Sequence, residues 1–263
     1  MSKVLLNIDP RGVATATVNR PEIGNAYDEE MLGLLADGLE QLAGNESVRA
    51  LVIRGAGKHF LAGADLTWLR RAAGYGPQEA YAASMATTRT MARLNEFPKP
   101  TLAVVHGACF GGGCGLVCAV DVALATPAAS FGLTEVRVGV APTPISTHMV
   151  HAMGLRHTRR YAITGERFDA AEAQRIGMVH EVVAADAIEA RLDAVLDAIF
   201  LSAPGAIAVT KRSFLGATGE MLDERELALL AHESWMQRAS AEGQEGLAAF
   251  AEKRKPAWYR AKA

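Results

Sequence analysis

The chain predicts an α/β fold, a sheet covered by helices, on three observations. Short β-prone runs alternate with helix-period runs as far as about residue 183; the signal then becomes almost purely helical; and half of the 263 residues are hydrophobic, enough to bury a sizeable core. Val4 to Ile8 and Val13 to Val18, separated by Pro10-Arg11-Gly12, read as an N-terminal hairpin that Asn19-Arg20-Pro21 ends. Asp28 is placed to cap a helix carrying Met31, Leu32, Leu35, Leu39 and Leu42 at helical spacing, and Val48 to Ile53 returns as a strand. A glycine-rich loop over 55–64 leads into helical stretches at 65–71 and 77–97, then a strand at 101–105. Three glycines, 111–113, precede the helix-compatible run Leu116 to Val120, and strands follow at 122–125 and 179–183. Helices are expected at 184–201, 205–217, 223–239 and 243–254, with Pro204 and Gly219 as punctuation. Their apolar face, including Leu227, Leu230, Trp235 and Leu247, needs something to pack on, such as a subunit layer or a cover over the active site.

Composition excludes several classes of function. The net charge is −2 and the pI about 6.4, with 27 basic and 29 acidic side chains scattered along the chain, so no nucleic-acid or membrane surface is marked. Cys109, Cys114 and Cys118 sit close together in apolar company and read as reduced core thiols, which fits a cytoplasmic setting. The N-terminal apolar run is too short for a signal peptide, and no eighteen-residue apolar stretch occurs. No metal-ligand spacing is found: His180-Glu181 and His232-Glu233 lack a second histidine four residues on.

The chemistry concentrates in Gly111-Gly112-Gly113-Cys114-Gly115 and, twenty residues later, Phe131-Gly132-Leu133-Thr134-Glu135. Glycines between a strand and a helix start leave backbone N–H groups uncovered, an arrangement suited to an anion. Glu135 lies among Phe131, Leu133, Val136 and Val138, where an unpaired carboxylate is costly unless it has a task. Oxyanion stabilisation beside a general acid/base follows. The glycines do not make a dinucleotide fingerprint, because the third required glycine would fall on Leu116 or Cys118; no phosphate loop and no Gly-x-Ser-x-Gly elbow occurs either.

Four separated segments, Val18-Asn-Arg-Pro-Glu with Asn25-Ala26, His59-Phe-Leu-Ala-Gly-Ala-Asp-Leu66, Lys99-Pro-Thr through Gly111-Gly-Gly-Cys-Gly-Leu116 and Asp121, and Phe131 to Glu135 with Gly139, together resemble the enoyl-CoA hydratase/isomerase (crotonase) family. So does the ending Glu245 to Pro256. The resemblance implies a crotonase-like spiral of ββα units over 1–200 and a C-terminal helical trimerisation region over 201–263, in a homotrimer or dimer of trimers. It implies an acyl-CoA thioester substrate, with coenzyme A part of the substrate and no separate cofactor. The thioester oxygen would accept from the backbone N–H groups of Ala64 and Gly112, with Glu135 as the catalytic carboxyl. Coenzyme A would lie along Ile23, Ala26, Ala62, Asp65 and Leu66, and Phe250 and Lys253 would reach its nucleotide end.

Typical hydratases of the family carry a second glutamate where this chain has Gly115. One carboxyl working as base and then as acid can still hydrate; a single carboxyl is also the usual complement of an isomerase. Resemblance of 113–121, 134–142, 145–146 and 159–169 to the methylglutaconyl-CoA hydratase branch places hydration first and isomerisation second. A distal carboxylate on such a substrate makes Arg137, Arg156, Arg159 and Arg160 candidates to bind it. His148 and His151 are candidates to orient water. The reading from another class is a coenzyme A- or RNA-binding protein without turnover.

Overall fold

A computed structural model describes residues 2–72, 75–135 and 142–217 and isolated positions from 241 to 260. The helix expected at 223–239, the apolar face named above, Arg137, Gly139, Phe250 and Lys253 lie outside the described residues, and only scattered positions of 243–254 lie inside them.

The strands in chain order are β1 (Val4–Ile8), β2 (Val13–Val18), β3 (Ala50–Gly55), β4 (Thr101–Val105), β5 (Ala108–Phe110), β6 (Val122–Ala125), β7 (Ser130–Gly132), β8 (Arg167–Asp169) and β9 (Glu181–Val182). They form a six-stranded sheet ordered β1-β2-β3-β4-β6-β9 and a three-stranded sheet ordered β5-β7-β8. The helices are α1 (Glu29–Gly44), α2 (Leu66–Ala72), α3 (Pro77–Asn95), α4 (Gly112–Cys118), α5 (Ser146–Thr164), α6 (Ala170–Arg175), α7 (Ile188–Phe200) and α8 (Pro204–Ala217). Only the β1/β2 hairpin is antiparallel in the large sheet; the other pairings in it are parallel, as alternation with helices requires. In the hairpin turn Asp9 Oδ1 accepts from the N–H of Arg11 (2.9 Å) and of Val13 (2.8 Å).

Both faces of the large sheet are covered, which is why β4 is buried along its whole length. On one face Val52, Leu102, Val104 and Leu124 pack with Ile188, Leu192, Leu196 and Phe200 of α7. On the other, Leu51, Ile53, Ala103, Val105 and Ala123 pack with α1, α3 and the small sheet. The expected apolar face of α1 is the buried one, Asp28 Oδ1 caps it by accepting from Met31 N–H at 2.9 Å, and Lys99 Nζ donates to the carbonyls of Leu42 and Asn45 at its far end. The strand expected at 48–53 begins at Ala50, and the one at 179–183 shortens to two residues. The small sheet was not anticipated: its three strands have three residues each, too short to show a period.

Asn25, buried and held at φ 60°, joins the segments that will form the site. Its Oδ1 accepts from Arg20 N–H (2.8 Å), and its Nδ2 donates to the carbonyls of Ala56 (2.8 Å) and His59 (2.6 Å). Arg20 adds a charged tie, donating to Ala26 O (2.6 Å) and Asp65 Oδ2 (2.8 Å) and lying 3.1 Å from Asp28. Asn25→Ala leaves these three backbone groups without their partner and puts alanine in a left-handed conformation. We expect a loss of about 2–4 kcal/mol, read as a lower urea midpoint with unchanged slope.

Candidate active site

The loop 60–65 runs between two other segments and joins them through the backbone. On one side Leu61 N–H donates to Ala108 O (3.1 Å) and Phe110 N–H to Leu61 O (2.9 Å); on the other Tyr27 N–H donates to Gly63 O (2.9 Å) and Asp65 N–H to Tyr27 O (2.8 Å). Ala64 is therefore paired beside Tyr27 while β5 carries the chain straight into Gly111 and α4. The N–H groups of Ala64 and of Gly112, the first residue of α4, have no acceptor among the described residues.

Around α4 the absence of side chains is used by three different neighbours. Gly111 has φ 53°, and a Cβ there would lie 2.8 Å from Glu135 Oε1. A Cβ on Gly112 would lie 2.5 Å from Tyr27 Cε1 and 3.1 Å from its hydroxyl oxygen. A Cβ on Gly115 would lie 2.3 Å from Ile145 Cγ2, and Ile145 is buried. Glu135 is thus brought to Gly111, Tyr27 to Gly112, and Ile145 closes the helix at the position where a second carboxyl is absent.

Glu135 Oε2 is shielded from solvent and has no hydrogen-bond partner among the described residues. Burial pushes its pKa above the ordinary carboxyl value, only partly offset by its own backbone N–H. Tyr27 feels the same environment: burial, and then the charge of Glu135, push its phenol up to about 12. Its ring packs on Trp68, with centroids 5.8 Å apart and planes at 56°, and the buried Trp68 Nε1 also lacks a partner among the described residues. Sequence reasoning missed Tyr27, Trp68 and the role of Ile145. The signal for Tyr27 was its place, a polar aromatic directly after Asn25-Ala26.

The remaining expected residues divide into two groups. Ile23 stands exposed, its carbonyl accepting from Ala26 N–H (3.4 Å); Ala62 N–H donates to Gly24 O (2.9 Å), Ala64 pairs with Tyr27, and Leu66 opens α2, so backbone ties hold these two segments together. Asp65 belongs to the second of them by its backbone, but its carboxylate is engaged: Oδ1 caps α2 by accepting from Thr67 and Trp68 N–H, and Oδ2 pairs with Arg20. Burial pushes the Asp65 carboxyl up, but Arg20 and the two N–H groups outweigh it and hold the pKa below its usual value. Arg156, Arg159 and Arg160 instead lie on the exposed side of α5, lining a surface concavity with Leu155 and Ile163 that includes neither Glu135 nor Gly112; Arg160 Nε pairs with Glu166 at 2.7 Å. His148 is half-buried, its pKa held down by burial and by His151, which is exposed.

The site can be compared with known proteins. The family model for enoyl-CoA hydratase/isomerase matches residues 9–261. The crystal structure of an enoyl-CoA hydratase from Shewanella pealeana superposes with a TM-score of 0.93 at 37% identity, covering 97% of this chain and 96% of that one. Pseudomonas aeruginosa AtuE superposes at 0.94 with 39% identity over 98% of this chain and all of the other. The 2,3-dehydroadipyl-CoA hydratase of Escherichia coli is 30% identical over 97% of this chain and 98% of its own length.

The fit between Gly115 and Ile145 is testable by stability alone. In a helix interior Gly→Ala ordinarily stabilises by about 1 kcal/mol. Here the Ile145 contact should reverse the sign, costing about 1–3 kcal/mol. Combining Gly115→Ala with Ile145→Ala should recover more than 1 kcal/mol of that cost relative to additivity, measured as a double-mutant cycle in urea. An additive cycle would mean that Ile145 does not fill the space over Gly115.

Proposed function

This chain belongs to the enoyl-CoA hydratase/isomerase family, and we propose that within it the protein adds water across the α,β double bond of an enoyl-CoA thioester. The observation that carries this reading is the buried carboxylate oxygen of Glu135, without a partner among the described residues, beside a chain turn whose next residue has an N–H with no acceptor among them. In this reading the thioester oxygen accepts from the N–H groups of Ala64 and Gly112. Glu135 takes a proton from water as the water oxygen attacks the β carbon. Negative charge moves onto the thioester oxygen, where the two N–H donors hold it; one such donor is typically worth ~10²–10³ in rate. Glu135 then returns its proton to the α carbon. The sum is one water added, with no external acid.

The two segments that carry Ile23, Ala26, Ala62 and the backbone of Asp65 and Leu66 are proposed to seat coenzyme A, with Phe250 and Lys253 at its nucleotide end. For the acyl group we favour a branched substrate with a distal carboxylate, of the methylglutaconyl-CoA kind. The branch-like segments around Gly115 and Ile145 support it, as does a relative whose name specifies another acyl group derived from a dicarboxylic acid. The three arginines of α5 contribute no support, since they line a concavity that includes neither Glu135 nor Gly112. A trimer or dimer of trimers, the arrangement the resemblance implies, is supported by the exposed apolar Leu155 and Ile163.

The second reading is double-bond isomerisation, favoured by one specific observation: Ile145 fills the space over Gly115, leaving one carboxyl to shuttle one proton between α and γ carbons. Incubation with 3-methylglutaconyl-CoA, crotonyl-CoA and a 3-enoyl-CoA separates the two, because hydration adds the mass of water and isomerisation adds none. Products of unchanged mass with a shifted double bond would replace the first reading by the second.

Glu135→Gln should lower turnover by ~10² or more while leaving the fold intact. In the parent, kcat/KM should fall as pH falls through the pKa of Glu135, at a pH above the ordinary carboxyl range because burial raises that pKa. The sign for stability is opposite. A carboxyl whose folded pKa is raised contributes its stability below the unfolded pKa and loses it as pH rises through the folded one. Glu135→Gln should therefore be at least as stable as the parent at neutral pH, with the difference shrinking in acid. A variant less stable at neutral pH would assign Glu135 to structure.

A further inference from the structure

The closed position at Gly115 raises the question of what holds the water that Glu135 is to deprotonate. A carboxylate can accept one hydrogen bond from a water and still leave that water free to turn. Attack on a carbon needs the oxygen lone pair aimed at it, so a second anchor on the water is required. Ile145 is apolar and supplies none on its side.

A phenol and a carboxyl also stand at the glycine cluster. Tyr27 lies against Gly112 and Glu135 against Gly111, so the phenol and the carboxylate flank two consecutive residues of one turn. Among the described residues Glu135 Oε2 has no hydrogen-bond partner, and burial and the charge of Glu135, with no hydrogen bond, are what act on the Tyr27 hydroxyl. The Tyr27 ring is not free to swing: Trp68 packs against it at a tilt, Gly112 meets its edge, and its backbone is paired on both sides of Ala64. We propose that Tyr27 is the positioning residue for hydration, its hydroxyl hydrogen-bonding the water molecule that Glu135 deprotonates.

The division of labour follows from the chemistry of the two groups. The phenol keeps its proton throughout, since its pKa stands at about 12, so it neither takes nor gives a proton in the reaction. The water's proton goes to Glu135, its oxygen bonds to the β carbon, and Glu135 returns the proton to the α carbon. Tyr27 restricts orientation and is unchanged at the end. Its contribution is therefore confined to the step that uses water.

The proposal rests on the hydratase reading, and its test separates the two. Tyr27→Phe keeps the ring against Gly112 and Trp68 and removes only the oxygen. Two rates are compared in parent and variant: hydration of an enoyl-CoA, and exchange of the α proton of a saturated acyl-CoA with deuterated solvent. Exchange needs Glu135 and the two N–H donors but no attacking water, and it also reports that the variant is folded. We expect kcat for hydration to fall about 10–100-fold with KM little changed, and exchange to fall far less, so that their ratio drops at least ~10-fold. Equal losses in both rates, or hydration unaffected, overturn the proposal while leaving the hydratase reading standing. A parent enzyme that exchanges the α proton but hydrates none of the enoyl-CoAs overturns that reading and the proposal with it.

Discussion

The site depends on a steric constraint: the first turn of α4 must present bare backbone to three side chains at once. Built Cβ atoms on Gly111, Gly112 and Gly115 fall within 2.8 Å of Glu135, Tyr27 and Ile145 respectively, distances at which something has to move. The three neighbours come from different parts of the chain, the segment after β7, the segment before α1 and the turn before α5. A short stretch of glycine thus decides where an acid, a phenol and an apolar plug can sit relative to one another. Helix propensity is sacrificed to do it, at about 1 kcal/mol for each glycine inside a helix, and tertiary burial of the whole helix makes up the loss.

That turn is held in place by backbone ties rather than by side-chain packing alone. The large sheet delivers β4 into its centre, and the chain leaves it to form β5 only a few residues later. From there the bonds Leu61 to Ala108, Phe110 to Leu61, and Gly111 to Gly132 O fix the glycine turn against both the 60–65 loop and β7. Asn25 and Arg20 fix the other side of the loop, so Ala64 and Gly112 inherit their positions from a connected network. Two N–H groups that are to serve one acceptor, as proposed for these, have to be held this way, because a donor that reorients in response to charge loses much of its stabilising effect.

Much of this was legible in the sequence, for a physical reason. Periodicity gave α1, α3 and α7 within a few residues, because each buries one face and therefore repeats its apolar positions; the hairpin was legible from β-prone runs on either side of Pro10-Arg11-Gly12, and α8 stands close to its expected bounds although none of its residues is buried. Gly112 and Glu135 stand out in the sequence because glycines after a strand and an acid among apolar residues are unusual in composition, whereas Ala64 enters only through the family resemblance. The small sheet was not found. Its strands are three residues long and owe their existence to pairing with one another and with the 60–65 loop, information that no local window contains. Tyr27 and Ile145 were missed for a related reason: each is an ordinary residue in its own segment and acquires meaning only from the glycine it touches. Asp65 shows the converse, a motif residue whose carboxylate turns out to be spent on a helix cap and an ion pair.

A single carboxyl has consequences that two would not. In the proposed hydration Glu135 is base in the first half and acid in the second, so both of its protonation states must be accessible at one pH. An ordinary glutamate at neutral pH is overwhelmingly ionised, a fair base but a poor source of protons. Burial beside Gly111 raises its pKa and brings the two states closer in free energy, which is what the second half of the reaction requires. Tyr27 shares those buried surroundings. The carboxyl that remains is desolvated by burial and works without a partner at Gly115, where Ile145 fills the space. In the proposed hydration one group on one face of the substrate both takes and returns the proton, so the oxygen and the proton would arrive from the same side and the expected addition is syn.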